Sequence, residues 1–312
     1  MEPTRVLTSS DGVRLAVYEQ GDPAAPVILA IHGYPDNASV WDGVAGELAD
    51  RFRVVRYDVR GTGASSKPAG RAHYRLDRLE DDVATVIDAL SPDRAVHLLA
   101  HDWGSVQAWH AVTGARLAGR FASFTSISGP CLDQIGPWLR RNLNRSGFAK
   151  VLRQVLDSYY LVVFKLPGLA ELAWRTGLIE AALGRAGRPA EGSRPDARAR
   201  PDYRRSWPDK AHGLQLYRAN LLTRYRPAGG PRRATDVPVQ VLAPSADPFV
   251  SRAVQLEAPR PYLSNFYPRE VRGGHWVVLD RPTLIATMTA QLVEFVEYAR
   301  HSPELASARR TS

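Results

Sequence analysis

The sequence predicts an α/β protein with a mostly parallel central sheet, flanked by helices and interrupted by an inserted helical cap. Short apolar segments alternate with helical patterns from Val13 to Ile127, and this alternation is typical of a parallel sheet covered on both faces. After Pro130 the alternation stops, and helical patterns continue without a convincing strand up to Gly229. A strand pattern returns at Val237, so the sheet is predicted to resume there.

The individual elements follow from the spacing of apolar residues and from the turn residues between them. Short apolar runs predict strands over 13–20, 27–31, 52–57, 95–99, 121–127 and 237–242, with a last strand starting at 265–267. Apolar side chains at helical spacing predict helices over 40–48, 76–90 and 284–296. The last of these is amphipathic and covers one face of the sheet.

The chain is predicted to consist of a core in two parts with a cap between them. Residues 1–132 and 233–300 form the core, residues 133–232 form the helical cap, and residues 301–312 form a loose polar tail. Within the cap, the stretch 184–212 is rich in Arg, Pro and Gly and is predicted to be an exposed loop.

Composition is that of an ordinary globular protein. Of the 312 residues, 44% are apolar and 23% are charged, and neither a membrane-spanning run nor an apolar N-terminal leader is present. The single cysteine, Cys131, excludes an intrachain disulfide and fits a reducing compartment, so we expect a cytoplasmic protein without an integral membrane segment. The net charge of +9 comes mostly from dispersed arginines. No nucleic-acid motif accompanies them, and we expect no nucleic-acid partner.

Asp102 follows the predicted strand over 95–99 and lies in Ala100-His101-Asp102-Trp103-Gly104, directly before a helix start. A strand, a sharp turn with small flanking residues and a helix are typical of a nucleophile elbow. A carboxylate in that position indicates attack on a saturated carbon, because it leaves an ester that water can cleave, whereas serine would leave an ether. The alternative is an aspartate that only caps the helix N-terminus.

Two further residues complete the chain order nucleophile, acid, histidine. Asp247 comes shortly after the strand over 237–242, and His275 lies in a Gly-Gly-His-Trp loop after the last predicted strand. We expect His275 to activate water as a general base and Asp247 to hold its tautomer and stabilise the imidazolium. Asp133 is an alternative acid because it follows the strand over 121–127. A surface histidine and a turn aspartate are the structural alternatives.

The segment His32-Gly33-Tyr34-Pro35 directly follows the predicted strand over 27–31. In a fold with an elbow of this kind the loop faces the nucleophile, so we expect the backbone amides of Tyr34 and Trp103 to form an oxyanion hole. His32, Gly33 and Pro35 are predicted to support this loop. A plain Gly-Pro turn is the alternative interpretation.

These motifs, together with Tyr57–Ser66, resemble those of epoxide hydrolases with the α/β-hydrolase fold, over residues 10–300. The resemblance implies two cap tyrosines whose hydroxyls hold the epoxide oxygen. Tyr160 lies four residues before Phe164 of a Phe-x-x-Pro-Gly segment, and Tyr217 opens a Tyr-Arg-x-Asn run. Tyr159 adjoins Tyr160 and is the alternative for the first position. A phenol with a pKa of ~10 stays protonated at neutral pH and can donate to the opening oxygen.

The resemblance also implies a two-step reaction. Asp102 attacks an epoxide carbon to form a hydroxyalkyl ester, and water activated by His275 then releases a vicinal diol. No metal, nucleotide or organic cofactor is implied. We expect the partners to be a small lipophilic epoxide and water, and the sequence leaves the oligomeric state open, a homodimer included.

Two other functions are alternatives to epoxide hydrolysis. A haloalkane dehalogenase shares the fold, the aspartate and the adjoining tryptophan, but not the tyrosine pair. A non-catalytic ligand-binding protein on a hydrolase scaffold would need no triad. Similar hydrolase modules occur fused to a reductase domain, and we expect no second domain here because the chain ends soon after its final predicted helix.

Overall fold

The structure is a computed structural model that describes residues 2–186, 196, 199, 203, 205–221 and 233–310, with the backbone alone for 184–186. The described strands are β1 (Arg5–Thr8), β2 (Arg14–Gln20), β3 (Val27–Ile31), β4 (Arg53–Tyr57), β5 (Val96–His101), β6 (Phe121–Ile127), β7 (Val239–Pro244) and β8 (Phe266–Val271).

The described helices lie on the two faces of the sheet and in the insertion between β6 and β7. They are α1 (Asp42–Leu48), α2 (Leu76–Leu90), α3 (Trp103–Val112), α4 (Leu132–Asn142), α5 (Phe148–Asp157), α6 (Tyr160–Lys165), α7 (Leu169–Arg175), α8 (Leu178–Ala186), α9 (Trp207–Asn220), α10 (Arg252–Glu257), α11 (Val277–Asp280), α12 (Pro282–Tyr298) and α13 (Pro303–Ala308). Short 3-10 helices cover Ala38–Trp41, Arg71–Tyr74 and Arg260–Tyr262.

The strands form one sheet in the order β1-β2-β4-β3-β5-β6-β7-β8. The β1–β2 and β2–β4 pairs are antiparallel, whereas every pair from β4 to β8 is parallel. The predicted fold class is therefore confirmed. Because β3, β5, β7 and β8 run in the same direction, the loops that follow them meet at one edge of the sheet.

Alternate side chains of the central strands face two layers of helices. In β3, Leu29 belongs to the core beneath α2 and α3, while Ile28 belongs to the core beneath α1 and α12. All residues of β3 and β5 are buried, as expected for strands covered on both faces. This arrangement fixes the loops after β3 and β5 on a rigid support. No helix in the described residues is long and apolar enough to cross a bilayer.

The helices α4–α9 form an insertion, and no strand occurs in its described residues, 132–186, 196, 199, 203 and 205–221. Arg218 of α9 joins three of its segments, because its guanidinium donates 2.7 Å to Glu171 of α7 and 3.0 Å to the carbonyl of Phe164 in α6. Trp174 of α7 is also buried against the core. These contacts hold α6, α7 and α9 together above the carboxyl edge of the sheet.

The structure differs from the sequence prediction at three places. The sequence does not predict β1, because it is a short, largely exposed edge strand without an apolar pattern. The predicted loop over 184–212 is wrong at both ends, since α8 extends to Ala186 and α9 begins at Trp207. Most of the intervening stretch lies outside the described residues.

The predicted loose tail over 301–312 is also wrong where it is described. Residues 303–308 form α13, Leu305 is 1% exposed, and Arg310 exchanges backbone hydrogen bonds with Phe266 of β8. A single buried leucine and a backbone contact with β8 hold this segment in place. The sequence does not indicate either of them, because the segment is mostly polar.

Candidate active site

Asp102 lies in the turn between β5 and α3 with φ 52° and ψ −123°, a backbone conformation that L-residues rarely adopt. Its side chain makes no capping hydrogen bond to α3, so the helix-cap interpretation is wrong. Small neighbours make this turn possible: a Cβ at Gly104 would collide with the carbonyl of Ile31, and a Cβ at Gly129 would collide with the carbonyl of Asp102. Such strain persists where the surroundings enforce it, typically at functional sites.

The loop after β3 contacts the Asp102 carboxylate directly. The backbone N–H of Tyr34 donates a 2.6 Å hydrogen bond to Oδ1 of Asp102, and a Cβ at Gly33 would collide with the same carboxylate. At the start of this loop, Nε2 of His32 accepts a 2.9 Å bond from the N–H of Val59. Pro35 follows through a cis peptide bond.

The amide of Trp103 is in the first turn of α3. Backbone N–H groups at that end of a helix have no acceptor within the helix and can serve a bound anion. The two amides predicted for an oxyanion hole thus flank Asp102, one by a direct hydrogen bond from Tyr34 and one as the next residue in the chain.

The loops after β7 and β8 bring Asp247 and His275 together beside the elbow. Nδ1 of His275 lies 3.1 Å from each carboxylate oxygen of Asp247, and its Nε2 lies 3.6 Å from Oδ2 of Asp102. Asp247 also accepts backbone N–H bonds of 2.9 Å from Phe249 and 3.1 Å from Val250. Asp133, the alternative acid, instead lies in the first turn of α4.

Charge and burial set the protonation of this pair. Burial lowers the pKa of His275, but the charge of Asp247 and the hydrogen bonds to Asp102 and Asp247 outweigh it, so the pKa is raised to about 10. Burial acts to raise the pKa of Asp247, yet His275 and the Phe249 amide shift it below its usual value. The geometry therefore favours an imidazolium between two carboxylates when Asp102 is ionised.

Two tyrosines of the insertion line the same cavities as the Asp102 carboxylate. Tyr160 of α6 and Tyr217 of α9 have ring centroids 6.2 Å apart, and both line cavities that Asp102 also lines. Burial raises the pKa of each phenol, and the Asp102 charge adds to the effect, so both hydroxyls stay protonated. Tyr159, the alternative to Tyr160, has 64% of its surface exposed.

Two cavities meet at Asp102, Tyr160, Tyr217 and Phe249. The larger has a volume of about 900 Å³ and reaches polar side chains of the insertion, whereas the smaller has about 320 Å³. The smaller cavity is lined mostly by apolar and aromatic residues, which include Val163, Phe164, Leu169, Ala173, Leu178, Ile179, Ala182, Leu183 and Trp276. Cavities of this size and character bind small organic molecules.

Sequence patterns do not single out Phe249, which bridges the insertion and the triad. Its ring centroid lies 5.0 Å from that of His275 and 5.2 Å from that of Tyr160. Sequence patterns do not identify Trp174 either, although its indole N–H donates a 2.6 Å hydrogen bond to the hydroxyl of Tyr34. The contacts of Phe249 and of Trp174 join segments that are far apart in the chain, so no local sequence pattern predicts them.

Two polar residues beside the motifs also escape sequence reasoning. Asp36, directly after Pro35, is fully buried and accepts 2.9 Å bonds from Arg205 and from the indole of Trp276. His101, directly before Asp102, uses Nε2 to donate 2.8 Å to the carbonyl of His275. Burial and the neighbouring His275 lower the pKa of His101 to about 4, so its ring is neutral. The only sequence feature that could have indicated a role for Asp36 and His101 is their position next to the two motifs.

A family model described as the alpha/beta hydrolase fold matches residues 26–282, which include the elbow, the histidine and the insertion. The chain belongs to the alpha/beta hydrolase family. The α/β hydrolase also resembles a "Probable oxidoreductase EphD" from Mycobacterium tuberculosis, with 35% identity over 98% of this chain and 52% of the relative. It thus spans about half the length of that curated relative.

Other similar proteins cover the hydrolase more evenly. The "AB hydrolase superfamily protein YfhM" from Bacillus subtilis is 27% identical over 89% of this chain and 93% of that protein. A solved epoxide hydrolase from Bacillus megaterium, in complex with a naphthyloxy-propane diol product, superposes with a TM-score of 0.75. It is 21% identical and covers 93% of this chain and 100% of the other, a likeness in fold.

Proposed function

We propose that this α/β hydrolase opens epoxides to vicinal diols through a covalent ester on Asp102. The observation that carries the proposal is the placement of two phenols, the half-buried Tyr160 and the buried Tyr217, in the cavities that the Asp102 carboxylate also lines. An epoxide oxygen becomes a strongly basic alkoxide as the ring opens, and protonated phenols are suited to stabilise it. A halide leaving group would not need this pair, so the arrangement favours an epoxide over a haloalkane.

The two oxygens of Asp102 have different tasks in the first step. Oδ1 is occupied by the N–H of Tyr34, so Oδ2 attacks the epoxide carbon from the side opposite its C–O bond. The O–C bond forms while the epoxide C–O bond breaks, and its electron pair moves to the oxygen held by Tyr160 and Tyr217. That oxygen takes a proton from one phenol, which leaves a hydroxyalkyl ester on Asp102.

Water cleaves the ester in the second step. His275 accepts a proton from the water, whose oxygen attacks the carbonyl carbon of Asp102, while Asp247 holds the imidazole in place. The oxyanion forms at Oδ1, where the amides of Tyr34 and Trp103 stabilise it. Such donors contribute ~3 kcal/mol each where removal has been measured. As the bond between the carbonyl carbon and Oδ2 breaks, His275 returns its proton to Oδ2, which leaves with the diol. The incoming oxygen stays on Asp102, and its remaining proton passes to His275, which restores the carboxylate and the imidazolium.

Ester formation also prepares His275 for its role as a base. In the resting enzyme two carboxylates raise the pKa of His275. The ester removes the negative charge of Asp102, so the pKa of His275 falls and the neutral ring becomes accessible. The released proton is available to restore the tyrosine that protonated the alkoxide.

The remaining assignments belong to the same proposal. Residues 133–232 act as a cap over the site, His32, Gly33 and Pro35 support the oxyanion loop, and the reaction uses no cofactor. A small lipophilic epoxide and water are the reactants, which the apolar lining of the smaller cavity supports. We also propose a cytoplasmic location, supported by one buried free cysteine. A homodimer is compatible with this proposal.

A single turnover in heavy-oxygen water tests the mechanism. With enzyme in excess over styrene oxide, the first diol should contain no label, and one heavy oxygen should appear in the peptide containing Asp102. Label in the first diol would mean that water attacks the epoxide directly. Chloride release from a chloroalkane without diol formation from any of several epoxides would favour the dehalogenase.

A further inference from the structure

The helical insertion exposes an unusual amount of apolar surface. Among the described residues, every large hydrophobic side chain with high exposure lies in the insertion, except Val6 and Tyr298. Six of them form what we call the apolar rim: Leu156, Tyr159, Val162, Leu169, Leu172 and Leu178, which are 61%, 64%, 60%, 47%, 57% and 67% exposed. Contiguous exposed apolar surface of this kind marks an interaction site.

Three residues of the apolar rim lie at the mouth of the smaller cavity. Tyr159, Leu169 and Leu178 line that cavity and are at the same time largely exposed, so it opens to the outside between them. Val162 is one turn from Tyr159, and its N–H bonds to the carbonyl of Tyr159 at 3.2 Å. Leu172 is likewise about one turn beyond Leu169. The rim is therefore continuous with the apolar route to Asp102.

Charges near the rim favour an anionic partner. Arg145, in the turn before α5, and Arg175 of α7 are exposed. The acids of these helices are matched by bases: Asp157 lies 3.5 Å from Arg153, Glu171 lies 2.7 Å from Arg218, and Glu180 lies 2.7 Å from Lys210. Leucine-rich helices with flanking Lys and Arg are typical of segments that lie in the interface of anionic membranes.

We propose that the apolar rim docks onto an anionic lipid bilayer and that a lipophilic epoxide enters the smaller cavity directly from it. Docking is independent of the catalytic assignment, whereas the delivery of an epoxide rests on the proposed function. A second copy of this chain is a poorer occupant, because a two-fold contact would bring the same cationic margins together. Anionic headgroups instead neutralise those margins while the acyl region covers the leucines.

Vesicle co-sedimentation tests the docking. The full chain should sediment with vesicles of phosphatidylglycerol and phosphatidylcholine, and much less with phosphatidylcholine alone. The variant Leu156→Ser/Val162→Ser/Leu172→Ser, which leaves the cavity lining and the net charge unchanged, should lose about tenfold or more in vesicle partitioning. The matched control, Val6→Ser on the edge strand β1, should bind like the wild type, since Val6 is 56% exposed but remote from the rim.

Hydrolysis assays separate delivery from docking. The triple variant should hydrolyse a small water-soluble epoxide at the wild-type rate, yet hydrolyse a long-chain epoxide embedded in anionic vesicles about tenfold more slowly. Equal sedimentation of the wild type and the triple variant would overturn the docking. So would a wild-type dimer that the triple variant converts to a monomer, if vesicles bind neither. Vesicle binding without hydrolysis of any epoxide would overturn delivery and the proposed function, but leave docking intact.

Discussion

The backbone N–H of Tyr34 donates a 2.6 Å hydrogen bond to Oδ1 of Asp102. This bond gives the two carboxylate oxygens different surroundings. Oδ1 accepts the backbone N–H, whereas Oδ2 lies on the side of His275. The approach of the two loops depends on Gly33, where any Cβ would collide with the Asp102 carboxylate. The absence of a side chain at Gly33 thus lets the Tyr34 N–H reach Oδ1 and leaves Oδ2 on the side of His275.

Gly33→Ala should therefore impair catalysis far more than folding. A displacement of Asp102 by about 1 Å costs on the order of a hundredfold in kcat, measured by diol formation. Gly119→Ala is the control, since Gly119 has φ 79° and a Cβ there would meet nothing within 4 Å, so only the backbone is strained. It should lose about 1 kcal/mol of stability and keep the wild-type kcat. Equal losses of kcat in both variants would contradict the role of Gly33.

The tyrosine pair makes a second prediction. Tyr160→Phe and Tyr217→Phe should each reduce kcat/KM about a hundredfold or more, because each removes a donor to the developing alkoxide. Tyr298→Phe, at a tyrosine remote from the cavities and 49% exposed, serves as the control and should leave kcat/KM unchanged. A larger loss for Tyr159→Phe than for Tyr160→Phe would move the first donor to the neighbouring residue.

The sheet and the elbow can be predicted from the sequence because local rules determine both. Apolar runs and a small-residue turn predict β5 and the sharp turn at Asp102, while Gly33 and Gly129, far away in the chain, leave the space that this turn needs. The start of α9 is missed for the opposite reason. Its buried residues lie all around the helix, from Lys210 to Leu214 and Leu216, so its pattern is not amphipathic. Burial on every side comes from packing between the core and the insertion, which periodicity does not reveal.

The same distinction applies to the site. Asp247 and His275 can be inferred from their order and from the ends of their strands. Phe249 cannot, because its importance lies in ring contacts with Tyr160 of the insertion and with His275 of another loop. The cavity linings likewise depend on how α6 to α9 lie over the sheet. Residues that belong to a catalytic motif can be predicted from the sequence, whereas the shape of the cavity that would hold the substrate cannot.

His275→Gln should separate the two chemical steps. Alkylation of Asp102 does not require a base, so the variant should accumulate the hydroxyalkyl ester, while turnover falls by on the order of a thousandfold. Mass spectrometry of the intact chain should show an added mass equal to that of the epoxide, on the peptide containing Asp102. Asp102→Ala is the matched control and should gain no mass. Loss of turnover without an adduct would contradict the assignment of His275 to the second step.

The raised pKa of His275 predicts a pH-dependent contribution to stability. Its pKa is about 10 in the folded protein and 6.5 when unperturbed, so the folded state binds the proton more tightly. The resulting stabilisation is fully present below pH 6.5 and is lost as the pH rises through about 10. Urea unfolding of the wild type and of His275→Gln should therefore differ more at acidic pH than near pH 10. A difference that grows with pH would show that the ring is neutral in the resting enzyme.

The contact between Arg205 and Asp36 makes a prediction about how the insertion is anchored. Asp36 is fully buried, and its 2.9 Å bond from Arg205 links the insertion to the loop that carries Tyr34. Arg205→Gln removes the positive charge that stabilises the buried Asp36 carboxylate, and it should lower the unfolding free energy by about 2–3 kcal/mol. The loss should be smaller than for a fully buried ion pair, because Arg205 is partly exposed.

Arg153→Gln provides the comparison, because Arg153 also pairs with an aspartate but at the surface. The pair with Asp157 has a side-chain exposure of 66% on the arginine, so its loss should change the unfolding free energy by less than about 0.5 kcal/mol. Urea unfolding measures both variants on the same scale. Since Trp276 shares the Asp36 carboxylate and adjoins His275, Arg205→Gln should also reduce kcat, whereas Arg153→Gln should not. Equal stability of the two variants would mean that the Asp36 carboxylate finds another donor.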